Sequence, residues 1–165
     1  MWRKADLKIA GVWFRSPSVD DRVRPIVLTA EFPEVVILIH RECSQLHLLG
    51  QVSLPLGYPL IGQAGESVAV YSLQYASGKI QTLPVRNGIE VAQANCIDEA
   101  TRIVPIAAAA QPAVEYVKDT AREQYQVLLW SIPTNSEELV SLRCQLNPHQ
   151  SALAIFAITT EGTRL

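Results

Sequence analysis

Little in this sequence marks a reaction centre. No apolar run reaches the ~18 residues that a membrane-spanning helix requires. The formal net charge is only -2, with the charges spread along the chain. No basic stripe therefore points to nucleic acid, and no acidic run to a solvating tail. The three cysteines, Cys43, Cys96 and Cys144, are widely spaced and form no CxxC pair. That excludes a zinc ribbon or a redox dithiol and leaves buried free thiols, or one disulfide with a third thiol free. There is no HxH pair, no GxSxG elbow, and no glycine-rich phosphate loop with its lysine. Internal repeats and low-complexity linkers are also absent.

The remaining candidates for chemistry are sparse. His40 and His47 flank a turn, and His149 follows Asn147-Pro148, so the histidines read as surface or satisfied side chains and no metal is expected. Cys43 between His40 and His47 is the nearest approach to a Cys/His pair, with nothing in sequence to activate the thiol. The acidic doublets Asp20-Asp21, Asp98-Glu99 and Glu137-Glu138 lie in polar segments. Neighbours on an extended chain point opposite ways, so none is a ready acid/base pair. The chain is read as noncatalytic, with no cofactor.

What is present is a succession of strand signals. At 165 residues the chain suits one domain, residues 1–165, able to bury roughly 70% of its unfolded surface. Strands are expected over Asp6–Phe14 (interrupted at Gly11), Pro25–Ala30, Val35–His40, Gln45–Val52, Tyr71–Tyr75, Ile80–Val85, Gln124–Ile132, Leu139–Leu146 and Ala152–Thr160. Tyr71, Leu73 and Tyr75 fall on one face, and Ala76-Ser77-Gly78-Lys79 turns the chain into a hairpin. Val140, Leu142, Cys144 and Leu146 alternate in the same way. The continuous run VVILI over 35–39 predicts a strand buried on both faces or at a sandwich centre. Trp130, inside VLLW, predicts a core position. Residues 107–125 are ambiguous between helix and strand; strand-loop is preferred because of Pro112, Val114 and Tyr116. About ten short strands between turns predict an all-β, two-sheet β-sandwich with jelly-roll connections. Pro25, Pro84 and Pro105 stand where they would blunt edge strands.

If strands alternate in direction, the Pro/Gly-rich loop over Ser53–Gly65 and the end of the Ile80 strand share one rim of the sandwich. There Tyr58 offers an aromatic face, Arg86 a planar set of donors and Asn87 both donor and acceptor, the groups that sugar-binding surfaces use.

The motif Tyr71-Ser72-Leu73-Gln74-Tyr75-Ala76-Ser77-Gly78, followed by Leu83-Pro84-Val85-Arg86-Asn87-Gly88-Ile89-Glu90, resembles a recurring segment of galactose-binding-like β-sandwich accessory domains of bacterial glycoside hydrolases and related secreted proteins. Upstream, Ser44–Gly50 is similar to their SxLxFLH strand, and Trp130, Asn147-Pro148 and ALAIFAIT follow in the expected order. Ser77 replaces the usual turn aspartate, and Leu49-Gly50 the common Leu-His. The resemblance implies a noncatalytic module of a larger protein, with a carbohydrate or a neighbouring catalytic domain as partner. It also implies an extracellular or periplasmic location. The opening MWRKADLKIAGVWF, with Asp6 and Lys8 where an export signal needs an apolar core, shows no such signal. A purely structural domain that packs on its neighbour and binds no sugar is the alternative.

Overall fold

The computed structural model describes residues 6–15, 18–19, 22–23, 25–55, 64–93, 107–117, 124–148 and 150–162. These contain no helix. The strands are β1 (Asp6–Ile9), β2 (Val12–Arg15), β3 (Ser18–Val19), β4 (Arg22–Val23), β5 (Ile26–Thr29), β6 (Glu34–Glu42) and β7 (Gln45–Pro55). They continue as β8 (Ser67–Tyr75), β9 (Ile80–Arg86), β10 (Ala92–Gln93), β11 (Ala110–Val117), β12 (Gln124–Pro133), β13 (Glu138–Leu146) and β14 (Gln150–Glu161). The ambiguous segment thus contains the strand β11, where Pro112 sits at a register shift on the sheet's edge.

Two sheets form the sandwich. One runs β11-β12-β7-β14-β5, with β10 added in parallel to the end of β7. The other runs β6-β13-β8-β9. Among the described strands, β1-β2 and β3-β4 each pair only with one another, as separate two-stranded sheets. The alternation in the sequence becomes the inner face: Tyr71, Leu73 and Tyr75 are fully buried, whereas Gln74 is exposed. Leu142, Cys144 and Leu146 join them from β13. From the opposite sheet come Leu46, Leu48, Leu128, Trp130, Ile132, Leu153 and Ile155. The rings of Tyr71 and Trp130 meet across the sandwich, with centroids 6.0 Å apart. Val140 leaves the predicted face because a bulge between Leu139 and Ser141 turns Leu139 inward in its place.

The two-sided burial expected of VVILI belongs elsewhere. β6 is a sheet edge; Val35, Ile37 and Ile39 are half-buried, while Val36 and Leu38 are exposed. The strands covered on both faces are β7, β12 and β14. Leu49, Val127 and Leu129 turn outward from the sandwich and are buried with Ala157 beneath Phe14 of β2. The β1-β2 hairpin therefore caps the outer face of the first sheet, and the Thr159 hydroxyl fixes it by donating to the Trp13 carbonyl at 2.8 Å.

Two glycines serve close geometry. Gly78, at φ 85°, closes the β8-β9 hairpin and donates its N–H to the Tyr75 carbonyl. Gly50, at φ 134°, lies where a Cβ would come within 2.7 Å of the Ala154 carbonyl oxygen. The β7-β14 ladder shifts register beside it.

Candidate functional site

The rim anticipated from sequence is built by three segments, 64–66, 86–91 and 107–109. Asn87 donates its N–H to Glu66 and accepts from Gly65, which ties the described end of the 53–65 loop to the end of β9. Beyond β9 the chain makes a tight turn in which Ile89, Glu90 and Val91 all aim their N–H groups at the Arg86 carbonyl. Ala108 and Ala109 then donate to Gly88 and Ile89, closing the turn from the other side.

Glu90 organises this turn. Its carboxylate accepts from the Arg86 backbone N–H at 2.8 Å, from Nε at 3.1 Å and from Nη2 at 2.6 Å. The Glu90 side chain is only 8% exposed and that of Arg86 40%. The hydrogen bond and charge of Glu90 raise the Arg86 pKa above its ordinary value, so the guanidinium is a fixed cation. Arg86 is thus held in one orientation with its side chain partly exposed. Asn87 is nearly buried. Tyr58 lies outside the described residues. The structure therefore brings Arg86 and Asn87 together with a third residue that sequence reasoning passed over, Glu90. Its signal was an acid four residues after an arginine, spanning an Asn-Gly turn.

His47, read from sequence as a surface or satisfied side chain, is buried with partners that the sequence did not reveal. His47 on β7 faces Ser131 on β12 and Thr159 on β14 in register. Its Nδ1 lies 2.8 Å from Ser131 Oγ and its Nε2 3.5 Å from Glu161 Oε2. No local motif carries this cluster, because three strands far apart in sequence assemble it. The order Ser-His-Glu is that of serine hydrolases. Here, though, the nucleophile position lies within a regular ladder, and His47 is buried beside the strand that anchors the β1-β2 hairpin. The long approach to Glu161, whose side chain is 45% exposed, makes a weak orienting contact. The arrangement satisfies a buried imidazole at the join of three strands.

The other sequence candidates disperse. His40 and His47 belong to different sheets, with β6 and β7 joined by a crossing at Cys43 and Ser44; His40 is exposed and lies 3.1 Å from Glu138. Among the described residues no group of His, Cys, Asp and Glu could hold a metal ion. Cys43 and Cys144 are buried free thiols, and burial pushes the Cys144 thiol up to about 12 despite a hydrogen bond from Tyr71. Of the acidic doublets, Glu137-Glu138 is described, and its Glu138 serves His40. Cys96, His149, Asp20-Asp21, Asp98-Glu99 and Pro105 lie outside the described residues. No protein-family model, curated protein or solved structure matches the chain.

Proposed function

We propose that this chain is a noncatalytic accessory β-sandwich module that works by binding, with a carbohydrate as the ligand class and a glycoside hydrolase as the neighbour. The observation that carries the binding assignment is Arg86: a permanently charged planar donor, locked by a buried carboxylate, yet open to solvent at the sandwich rim. Pre-orientation of this kind lowers the entropy cost of engaging a hydroxyl-rich ligand. The hydrolase neighbour rests on the Tyr71–Glu90 resemblance.

Jelly-roll connectivity is part of the proposal, and the strand order supports it. Counting β5, β6, β7, β8, β9, β12, β13 and β14 in chain order, the first pairs with the last, the second with the seventh, the third with the sixth and the fourth with the fifth. Four nested antiparallel pairs rolled into two sheets are what a double Greek key produces.

Glycan-array screening followed by calorimetry tests the ligand class. Arg86→Lys keeps a cation beside Glu90 and removes the fork; it is expected to weaken binding at least tenfold, and Tyr58→Ala to weaken it further. Binding untouched by both substitutions moves the site elsewhere, and no binding on the array leaves the module without a sugar. A fluorophosphonate probe tests the noncatalytic assignment. Labelling of Ser131 that disappears in His47→Ala would replace binding with acyl transfer. The second reading, an interaction domain that binds no sugar, is favoured by one specific observation: the apolar edge of β6.

A further inference from the structure

The rim around Arg86 is charge-compensated before any ligand arrives. Its described segments, 64–66, 86–91 and 107–109, carry one cation, Arg86, and two carboxylates, Glu66 and Glu90. Glu90 takes up the Arg86 charge at contact: its Oε1 lies 2.6 Å from Nη2, and its Oε2 3.1 Å from Nε and 2.8 Å from the backbone N–H. The Glu90 side chain is only 8% exposed, so it keeps this contact; leaving it would strand a buried charge. Glu66 is exposed, its carbonyl accepts from the Asn87 N–H, and the next residue, Ser67, pairs with Arg86. A second carboxylate therefore stands on this rim, and its described segments hold no second cation.

What Arg86 keeps is donors without an uncompensated charge. A guanidinium has five N–H groups. The Nε–H and one Nη2–H go to Glu90, and the edge between Nη1 and Nη2 has no hydrogen-bond partner among the described residues. That edge offers two parallel N–H groups, placed for two oxygens of one ligand.

We propose that this rim selects uncharged, hydroxyl-rich glycans over their acidic forms, with Glu90 as the residue that sets the choice. The inference rests on the binding assignment of Arg86. Two neighbouring hydroxyl oxygens of a sugar accept from the Nη1–Nη2 edge and bring no charge. A uronate or sulfate meets the same donors, but it finds the cation already paired and Glu66 on the same rim. Juxtaposed like charges then oppose it, where an unpaired arginine would attract it.

A glycan array carrying neutral oligosaccharides beside their uronate and sulfated forms tests this, with calorimetry on the matched pairs. The neutral form should bind at least tenfold more tightly than its acidic counterpart. Raising the salt from about 50 to about 500 mM NaCl should narrow that preference, because it screens the repulsion. Glu90→Gln removes the compensating charge and should shift the ratio toward the acidic form at least tenfold. The salt measurement uses the unaltered chain, so the proposal stays open to refutation if Glu90→Gln does not fold. An acidic form bound as tightly as its neutral counterpart, a preference that widens with salt, or a folded Glu90→Gln with an unchanged ratio overturns this proposal alone. Absence of binding to every glycan on the array overturns the sugar-binding reading and this inference with it.

Discussion

Two side chains carry the clearest consequences at the scale of single residues. Trp130 spans the gap between the sheets against Tyr71. Removing its indole leaves a large void in a close-packed core, so Trp130→Ala should cost about 3–5 kcal/mol in urea denaturation. A variant as stable as the parent would show that the core refills the site. Cys144 makes a pH prediction. Burial holds its folded pKa at about 12 against an ordinary 9.0. Below pH 9 the thiol is protonated in both states and its contribution to stability is complete. As pH rises, only the unfolded chain ionises, so stability should fall by about 1.4 kcal/mol per pH unit toward pH 12. Burial also raises the Tyr75 pKa, which adds loss in the same direction above pH 10. The comparison is therefore between slopes: Cys144→Ala should flatten the decline between pH 9 and 11, and identical slopes would place the alkaline loss elsewhere. Both residues were legible as core from their neighbours in sequence. Glu90 and His47 were not, because each is identified by its partners. Glu90 matters through a turn that wraps its carboxylate around Arg86, and His47 through strands β12 and β14.

At the scale of elements, local pattern succeeded where contacts are local. The β8-β9 hairpin follows from strict alternation and a glycine at the turn. The run in β6 misled because an apolar strand reports the character of its side chains and not its place in the sheet. VVILI resembles a central strand, yet nothing in five residues says that the chain will leave it at an edge. Conversely, the two-sided burial of β7 depends on a hairpin some thirty residues earlier, Phe14 closing over Leu49 and Leu129. Deleting that ring by Phe14→Ala should cost about 3–5 kcal/mol, as for a core aromatic. It should also speed hydrogen exchange of the β1-β2 amides; unchanged protection there would mean that the Thr159–Trp13 bond holds the hairpin without Phe14. The pairing of β7 with β14 is equally exacting. At Gly50 a methyl group has no room beside the Ala154 carbonyl, and the backbone stands at a positive φ. Gly50→Ala should destabilise by about 1–3 kcal/mol or more, as overpacking combined with an unsuited φ does. A neutral effect in thermal melts would show that β14 can step aside.

For the whole molecule, the count of strands and turns was enough to give a two-sheet sandwich, but not which strands are neighbours. Neighbours are decided by contacts over long stretches of sequence: β5 lies on β14, β7 on both β12 and β14, and β6 on β13. This nesting has a consequence for cooperativity. One core cluster draws Leu28 and Ile155 from one sheet and Tyr71 and Leu142 from the other, and the chain passes between sheets at β5-β6, β6-β7, β7-β8, β9-β10, β12-β13 and β13-β14. Neither sheet can retain its inner face once the other departs, since each would expose a continuous apolar surface to water. The sandwich should therefore unfold as a unit. Two probes on opposite sheets can decide this. Fluorescence of a variant keeping Trp130 as its only tryptophan follows the first sheet, and thiol labelling of a variant keeping Cys144 as its only cysteine follows the second. Their urea midpoints should coincide once each is referred to its own variant's overall stability. If Cys144 becomes reactive well before Trp130 is released, the β6-β13-β8-β9 sheet is a separable unit, and its open edge at β6 would then be the place where it begins to come apart.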